Sequence, residues 1–191
     1  MTKNRLEAFS DGVLAIIITI MVLELKIPHG SDWESLRPVI PVLLCYIMSF
    51  IYVAIYWNNH HHMIYTVKKV SGGILWANMH LLFWLSLIPF TTGWMGENHF
   101  TPLPVALYGV VLLMSAAAYI ILQKQIIKKQ GNDSVLKNAI GKDLKGYISL
   151  ILYLIAIPFS FITTWVSEVS YFLVAMMWLI PDKRIEKNLD H

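Results

Sequence analysis

The chain has 191 residues, of which 57% are hydrophobic and only 14% are charged, and its formal net charge is +3. Because a soluble domain carries about 25% charged residues, this composition predicts an integral membrane protein that lies almost entirely within the membrane. It argues against a soluble enzyme and a nucleic-acid-binding domain, and we expect an all-α, multi-pass fold.

The first apolar span, residues 5–25, is unusual because charged side chains occupy both of its ends. Only the twelve residues 12–23 are free of charge, and they cover about 18 Å of the roughly 30 Å of hydrocarbon. To cross, the span must also use residues 5–11 and 24–26, whose charged groups need cover by protein or water. This predicts a helix at the centre of an assembly, where it lines a pathway.

Five further apolar spans follow, at residues 38–59, 72–95, 103–123, 146–163 and 165–180. A tight turn around residues 163–168 is expected to divide the last two, because one helix over 146–180 would be about 52 Å long. The polar, basic segment 124–145 is predicted to be a cytoplasmic loop with some helical character. We therefore expect a single six-helix transmembrane domain over residues 1–191.

The basic residues support an even number of crossings. With the N-terminus in the cytoplasm, six crossings return the C-terminus there, and all but Lys26 and Arg37 of the 15 lysines and arginines fall on the inner side. Cytoplasmic segments of membrane proteins carry such an excess of positive charge. The pattern therefore predicts that both termini are cytoplasmic.

Four residues of the first span share one helical face, since Gly12, Ile16, Thr19 and Leu23 are spaced i, i+4, i+7 and i+11. Around a central axis, rings of Ile16 and Leu23 would form a hydrophobic constriction, and Thr19 hydroxyls could replace part of an ion's hydration shell. Ordinary helix packing also explains the stripe, with a close approach at Gly12 and a bond from Thr19 to the carbonyl of Ala15. Spacing alone leaves both interpretations open.

A polar group at the start of the same span needs partners. Arg5 and Asp11 are nearly two turns apart, so a contact between them is more natural between subunits or through other helices than within one helix. Spans two and three offer possible partners for this group and for Ser10, namely Trp57, His60 and Asn78. The group is either a network that fixes the inner mouth of a pore or topogenic charge with a helix cap at Ser10 or Asp11.

Three consecutive histidines, at positions 60–62, follow Asn59. Adjacent helical residues point about 100° apart, so the three cannot all bind one metal ion. A haem held by His60 and His80, a pH-sensitive mouth, and solvated helix-end histidines remain alternatives. No residue set typical of a membrane hydrolase or transferase is present, so we expect no enzyme activity.

Three motifs together match one family. They are RLEAFSDGV at residues 5–13, continuing through Thr19 to Glu24, YWNNH at residues 56–60, and Asn78 followed eleven residues later by Pro89. In these motifs the chain resembles the prokaryotic transmembrane protein 175 family, which comprises potassium-permeable channels related to the lysosomal potassium channel of animals. The match is specific for about the first ninety residues and loose beyond them.

The resemblance implies a homotetramer of six-helix subunits with four copies of helix one around a pore. It places the family's hydrophobic constriction on Ile16, with Thr19 and Leu23 as the next pore-facing layers. It also implies a structural motif at the inner pore mouth, formed by residues on three spans: Arg5, Phe9, Ser10, Asp11, Trp57, His60 and Asn78.

The function implied by the resemblance is passive conduction of potassium ions, with modest selectivity over sodium and a proton leak. We expect the protein in the inner (plasma) membrane of a bacterium, with membrane lipids as partners and no cofactor or metal. The family lacks the filter sequence TVGYG, and none is present here. The alternative is a proton-linked secondary transporter or a haem-bearing membrane protein that uses His60 and His80.

Overall fold

The computed structural model describes residues 2–131, 134–141 and 143–179, and within these ranges every regular element is a helix. The all-α prediction is therefore confirmed for the described residues. The predicted end of span six at Ile180 and the predicted cytoplasmic C-terminus lie outside them.

Nine α-helices and one 3₁₀ turn, Arg37–Val39, make up the described part of the fold. In chain order the helices are α1 (Lys3–Leu23), α2 (Trp33–Leu36), α3 (Ile40–Tyr65), α4 (Gly72–Ser86), α5 (Ile88–Glu97), α6 (Pro102–Gln130), α7 (Val135–Ile140), α8 (Leu144–Phe159) and α9 (Thr164–Leu179).

Four helical stretches are long and apolar enough to cross a membrane, namely α1, α2 with α3, α4 with α5, and α6. They coincide with the first four predicted spans. Helices α8 and α9 are apolar but shorter, with 16 residues each, or about 24 Å at the usual helical rise. The count of six crossings therefore stays a prediction.

Local sequence explains where the helices depart from the predicted bounds. Helix α6 continues to Gln130, into the segment predicted as a loop, and ends only at Gly131, whose φ of 74° suits glycine. The third span is divided between Ser86 and Ile88, because Pro89 lacks the N–H that an unbroken helix would need. The turn between α8 and α9 lies at residues 160–163, slightly before its predicted position.

Helices α3, α6, α8 and α9 pack together through buried tyrosines whose hydroxyls are paired. Tyr153 Oη donates to Tyr52 Oη at 3.1 Å, and Tyr52 Oη donates to the carbonyl of Tyr171 at 2.5 Å. Pairing is needed because a buried hydroxyl without a partner is costly. Helix α1 packs against α3, α4 and α5, so it lies at one side of this bundle.

Gly109 on α6 allows the closest of these approaches and gives a first prediction. A Cβ at this position would lie 2.0 Å from Tyr171 Oη, which itself donates to the carbonyl of Val105. Gly109→Ala should displace the tyrosine and lower the free energy of unfolding by about 1–3 kcal/mol. The measurement is the thermal midpoint in detergent, with Gly72→Ala as the control, because a Cβ at Gly72 meets no atom within 4 Å. Equal midpoints for the two variants would contradict this packing.

Candidate functional site

Helix α1 is buried on one face only. The buried residues recur every three or four positions: Leu6, Ser10, Leu14, Ile17 and Met21. The four residues of the predicted pore stripe lie on the opposite, exposed face, where Ile16 is 57% and Leu23 is 78% exposed. Packing within the chain therefore does not explain the stripe.

Thr19 lies in the middle of this exposed face. Its hydroxyl donates to the carbonyl of Ile16 at 2.9 Å, one residue further along than the expected partner, Ala15. Because the proton points to the backbone, the oxygen keeps its acceptor lone pairs. An acceptor oxygen is the group that a partly dehydrated cation requires.

Under the buried face, a chain of hydrogen bonds joins α1 to α3 and α4. Ser10 Oγ donates to the carbonyl of Leu6 at 2.9 Å and accepts from Asn78 Nδ2 at 2.9 Å. Asn78 Oδ1 lies 2.7 Å from His60 Nε2. Ser10, His60 and Asn78 are each at most 1% exposed.

The donor and acceptor roles in this chain are fixed by its two ends. Since Ser10 must donate to a carbonyl, it accepts from the amide nitrogen of Asn78, and the amide oxygen is left to accept from His60. His60 therefore carries its proton on Nε2. Its other nitrogen, Nδ1, is buried and meets no hydrogen-bond partner among the described residues.

A second, more exposed set of contacts lies beside this chain. Trp57 Nε1 donates to Asp11 Oδ1 at 3.0 Å, and the indole stacks on His61 with a ring-centroid distance of 6.3 Å. His61 Nδ1 lies 2.9 Å from Glu7 Oε1. The contact between His61 and Glu7 is absent from the sequence-based prediction, because no local pattern relates these two positions.

The structure brings together most of the predicted structural motif. Ser10 meets His60 and Asn78 through hydrogen bonds, and Asp11 meets Trp57. Arg5 and Phe9 instead lie on the exposed side of α1. The alternative of a cap at Ser10 or Asp11 is wrong, because α1 begins earlier and Thr2 is its N-cap.

The alternative of a haem held by His60 and His80 gains no support. The Nε2 atom of His60 is bonded to Asn78, and that of His80 accepts from Trp84 Nε1 at 2.9 Å. Neither Nε2 atom is free for an axial bond to haem. Across residues 2–131, 134–141 and 143–179, no three His, Cys, Asp or Glu side chains are grouped to hold a metal ion.

At its other end, α1 borders a groove of about 520 Å³ that α5 closes on the opposite side. Ile16 and Ile20 line the groove from α1, and Phe90 lines it from α5. Glu24 and Glu97 stand among its lining residues. The groove thus joins the middle of the exposed face to a charged rim.

Asn78 gives a test of the hydrogen-bond chain. Asn78→Ala leaves the His60 Nε2–H donor and one Ser10 acceptor buried without a partner, and each unmet group costs about 1–3 kcal/mol. The thermal midpoint in detergent should fall clearly. Asn58→Ala on α3 is the matched control, since the Asn58 side chain makes no hydrogen bond to the described residues. If Asn78→Ala and the control had equal thermal midpoints, the hydrogen-bond chain would not hold α1 in place.

Sequence comparisons identify related proteins. The family model described as "Endosomal/lysosomal potassium channel TMEM175" matches residues 5–89. A protein named potassium channel from Chryseobacterium sp. (strain P1-3) is 63% identical over 189 residues, covering 99% of this chain and 98% of that protein. A protein named endosomal/lysosomal proton channel TMEM175 from Gallus gallus is 35% identical over 83 residues, covering 37% of this chain and 17% of that protein.

A solved structure extends the similarity to the fold. The crystal structure of a lysosomal potassium-selective channel TMEM175 homolog from Chamaesiphon minutus matches with a TM-score of 0.80 and 29% identity, covering 94% of this chain and 97% of that chain. The extended identity to the Chryseobacterium protein and this shared fold lead to one conclusion. The chain belongs to the TMEM175 family.

Proposed function

We propose that this protein is a potassium-permeable cation channel, with a pore lined by α1 and passive conduction across the membrane. The observation that carries the proposal is the exposed face of α1, on which Ile16, Thr19 and Leu23 remain uncovered while the opposite face is anchored to the bundle. Bacterial relatives named potassium channels support the choice of ion. The animal relatives named proton channels support a proton leak.

A pore along α1 requires more than one copy of the chain. One helix cannot enclose a path, and closed rotational symmetry is the usual way to repeat a single wall. We propose a homotetramer, in which four copies of α1 surround the axis. The exposed apolar side chains of α1, such as Phe9 and Ile16, would then meet neighbouring copies rather than lipid.

The proposed orientation places the start of α1 in the cytoplasm of a bacterium, with the protein in its inner membrane. Lys3 Nζ donates to the carbonyl of Tyr65 at 2.6 Å, so the start of α1 lies beside the end of α3. Gln130 Nε2 donates to the carbonyl of Thr66 at 2.5 Å, which brings the end of α6 to the same place. Basic residues cluster in the segments that meet here, as expected on the inner side. We also propose that the chain crosses the membrane six times and that it needs no cofactor.

Conduction would be limited by the short stretch between Ile16 and Leu23. Rings of these side chains would form a constriction that opens and closes by wetting and dewetting. Thr19, between them, would offer oxygen atoms to a passing cation. Because the sequence lacks a carbonyl-lined filter motif, we expect potassium to be favoured over sodium only modestly.

Hydrating the constriction should raise the flux. In Ile16→Asn, a polar side chain would keep water in the narrow stretch, and potassium efflux from proteoliposomes should rise about tenfold if the barrier falls by about 1.4 kcal/mol. Ile151→Asn is the matched control, because Ile151 on α8 is 56% exposed and α8 lies away from α1. If the flux through Ile16→Asn were no higher than through the native protein, the placement of Ile16 in the pore would be contradicted.

The Thr19 hydroxyl should contribute to selectivity. Thr19→Val keeps the shape and removes the oxygen, so the potassium-to-sodium permeability ratio should fall by about fivefold at most, which corresponds to about 1 kcal/mol. The ratio is read from the reversal potential with potassium and sodium on opposite sides. Thr19→Ser should retain the native ratio. Loss of selectivity in both variants, or in neither, would contradict a role for the oxygen.

A further inference from the structure

Three charged side chains lie where α1 ends and α5 ends. Lys26 Nζ forms an ion pair with Glu97 Oε1, which joins the segment after α1 to the last residue of α5. The hydrogen bond to Glu97 and its negative charge hold the pKa of Lys26 above its ordinary value, with a smaller contribution from Glu24. Lys26 therefore stays charged at neutral pH and is committed to Glu97.

Glu24 has no ion-pair contact in this group. It directly follows Leu23, and its carboxylate lies against α5, with Oε2 3.0 Å from the point where a Cβ on Gly93 would stand. Among the described residues, no hydrogen bond or ion pair involves this carboxylate. The C-terminal end of a helix already carries partial negative charge, so a carboxylate here is electrostatically unfavourable for folding. The net charge of the three side chains is negative because Lys26 cancels only one carboxylate.

The position of Glu24 relates this charge to the ion path. Glu24 stands at the rim of the groove that reaches Ile16 and Ile20, and it comes one residue after the exposed stripe of α1. In the proposed channel, every copy would add one such carboxylate around the mouth. We infer that Glu24 concentrates potassium ions at this mouth and so sets the conductance at low ionic strength.

This inference rests on the proposed function and predicts a specific dependence on salt. Surface charges raise the local concentration of counter-ions over the Debye length, which is about 30 Å in 0.01 M salt and about 3 Å in 1 M salt. The effect of Glu24 on conductance should therefore be large in dilute potassium chloride and vanish in concentrated solution. A change in pore structure would instead persist at both concentrations.

The chain offers substitutions that move the local charge in both directions. Glu24→Gln makes the group neutral, Lys26→Met makes it more negative, and the double variant restores the native net charge. Glu34→Gln is the matched control, because Glu34 loses the same charge on the short exposed helix α2, outside the groove.

Single-channel currents in planar bilayers test the inference, with about 0.01 M or about 1 M potassium chloride on the side that faces the end of α1. In dilute salt, Glu24→Gln should lower the conductance about two- to fourfold and Lys26→Met should raise it. The double variant should return to the native value, and Glu34→Gln should lower the conductance less than Glu24→Gln, because Glu34 lies outside the groove. In concentrated salt all five proteins should conduct alike.

The failure of the inference is distinguishable from the failure of the proposed function. A native protein that carries no potassium current in either salt would overturn the channel assignment, and this inference with it. Native current with an unchanged Glu24→Gln variant in dilute salt would overturn the inference alone. A loss that persists in concentrated salt, or an equal loss in Glu34→Gln, would likewise overturn it.

Discussion

The hydrogen-bond chain through Ser10, Asn78 and His60 is the constraint on which the rest of the site depends. Each of these groups is buried, so a bond left unmade would cost about 1–3 kcal/mol. A turn of α1 about its own axis by one residue, about 100°, would take Ser10 away from Asn78. The hydrogen-bond chain therefore fixes which face of α1 is turned away from the bundle. Thr19 lies on that face as a consequence.

The two ends of α1 meet the cost of charge near a membrane in different ways. At the start, Asp11 and Glu7 are paired with Trp57 and His61 on α3, so the charges are held against the bundle. At the end, one carboxylate is paired and Glu24 is not. The first arrangement positions the helix, whereas the second leaves a carboxylate without an ion-pair partner at the rim of the groove between α1 and α5. The charges at the start of α1 have a structural role, whereas the carboxylate of Glu24 at its end has no ion-pair partner. This difference is a reason to seek a functional role for Glu24.

Composition and periodicity were sufficient to predict the all-α class, the first four spans and the helical face shared by the stripe of α1, because these features depend on residues close together in the chain. The contacts between Glu7 and His61 and between Lys26 and Glu97 were not predictable, because their partners are far apart in sequence and leave no local pattern. The end of α6 was placed too early, because its lysines resemble a loop although no glycine or proline lies between Gly109 and Gly131. Spacing along the helix could identify the stripe but not its role, because the role depends on contacts with residues far away in the sequence.

The length of the uncharged part of α1 constrains how an ion could pass. Residues 12–23 cover about 18 Å, less than the roughly 30 Å of hydrocarbon, so in the proposed channel the rest of the path would be open to water at both ends. The stretch from Ile16 to Leu23 is shorter still, about 10 Å. In the proposed channel, an ion would lose water over only about two helical turns, with Thr19 near the middle. In the proposed channel, a single ring of Thr19 oxygen atoms would lower so short a barrier without a long carbonyl-lined filter.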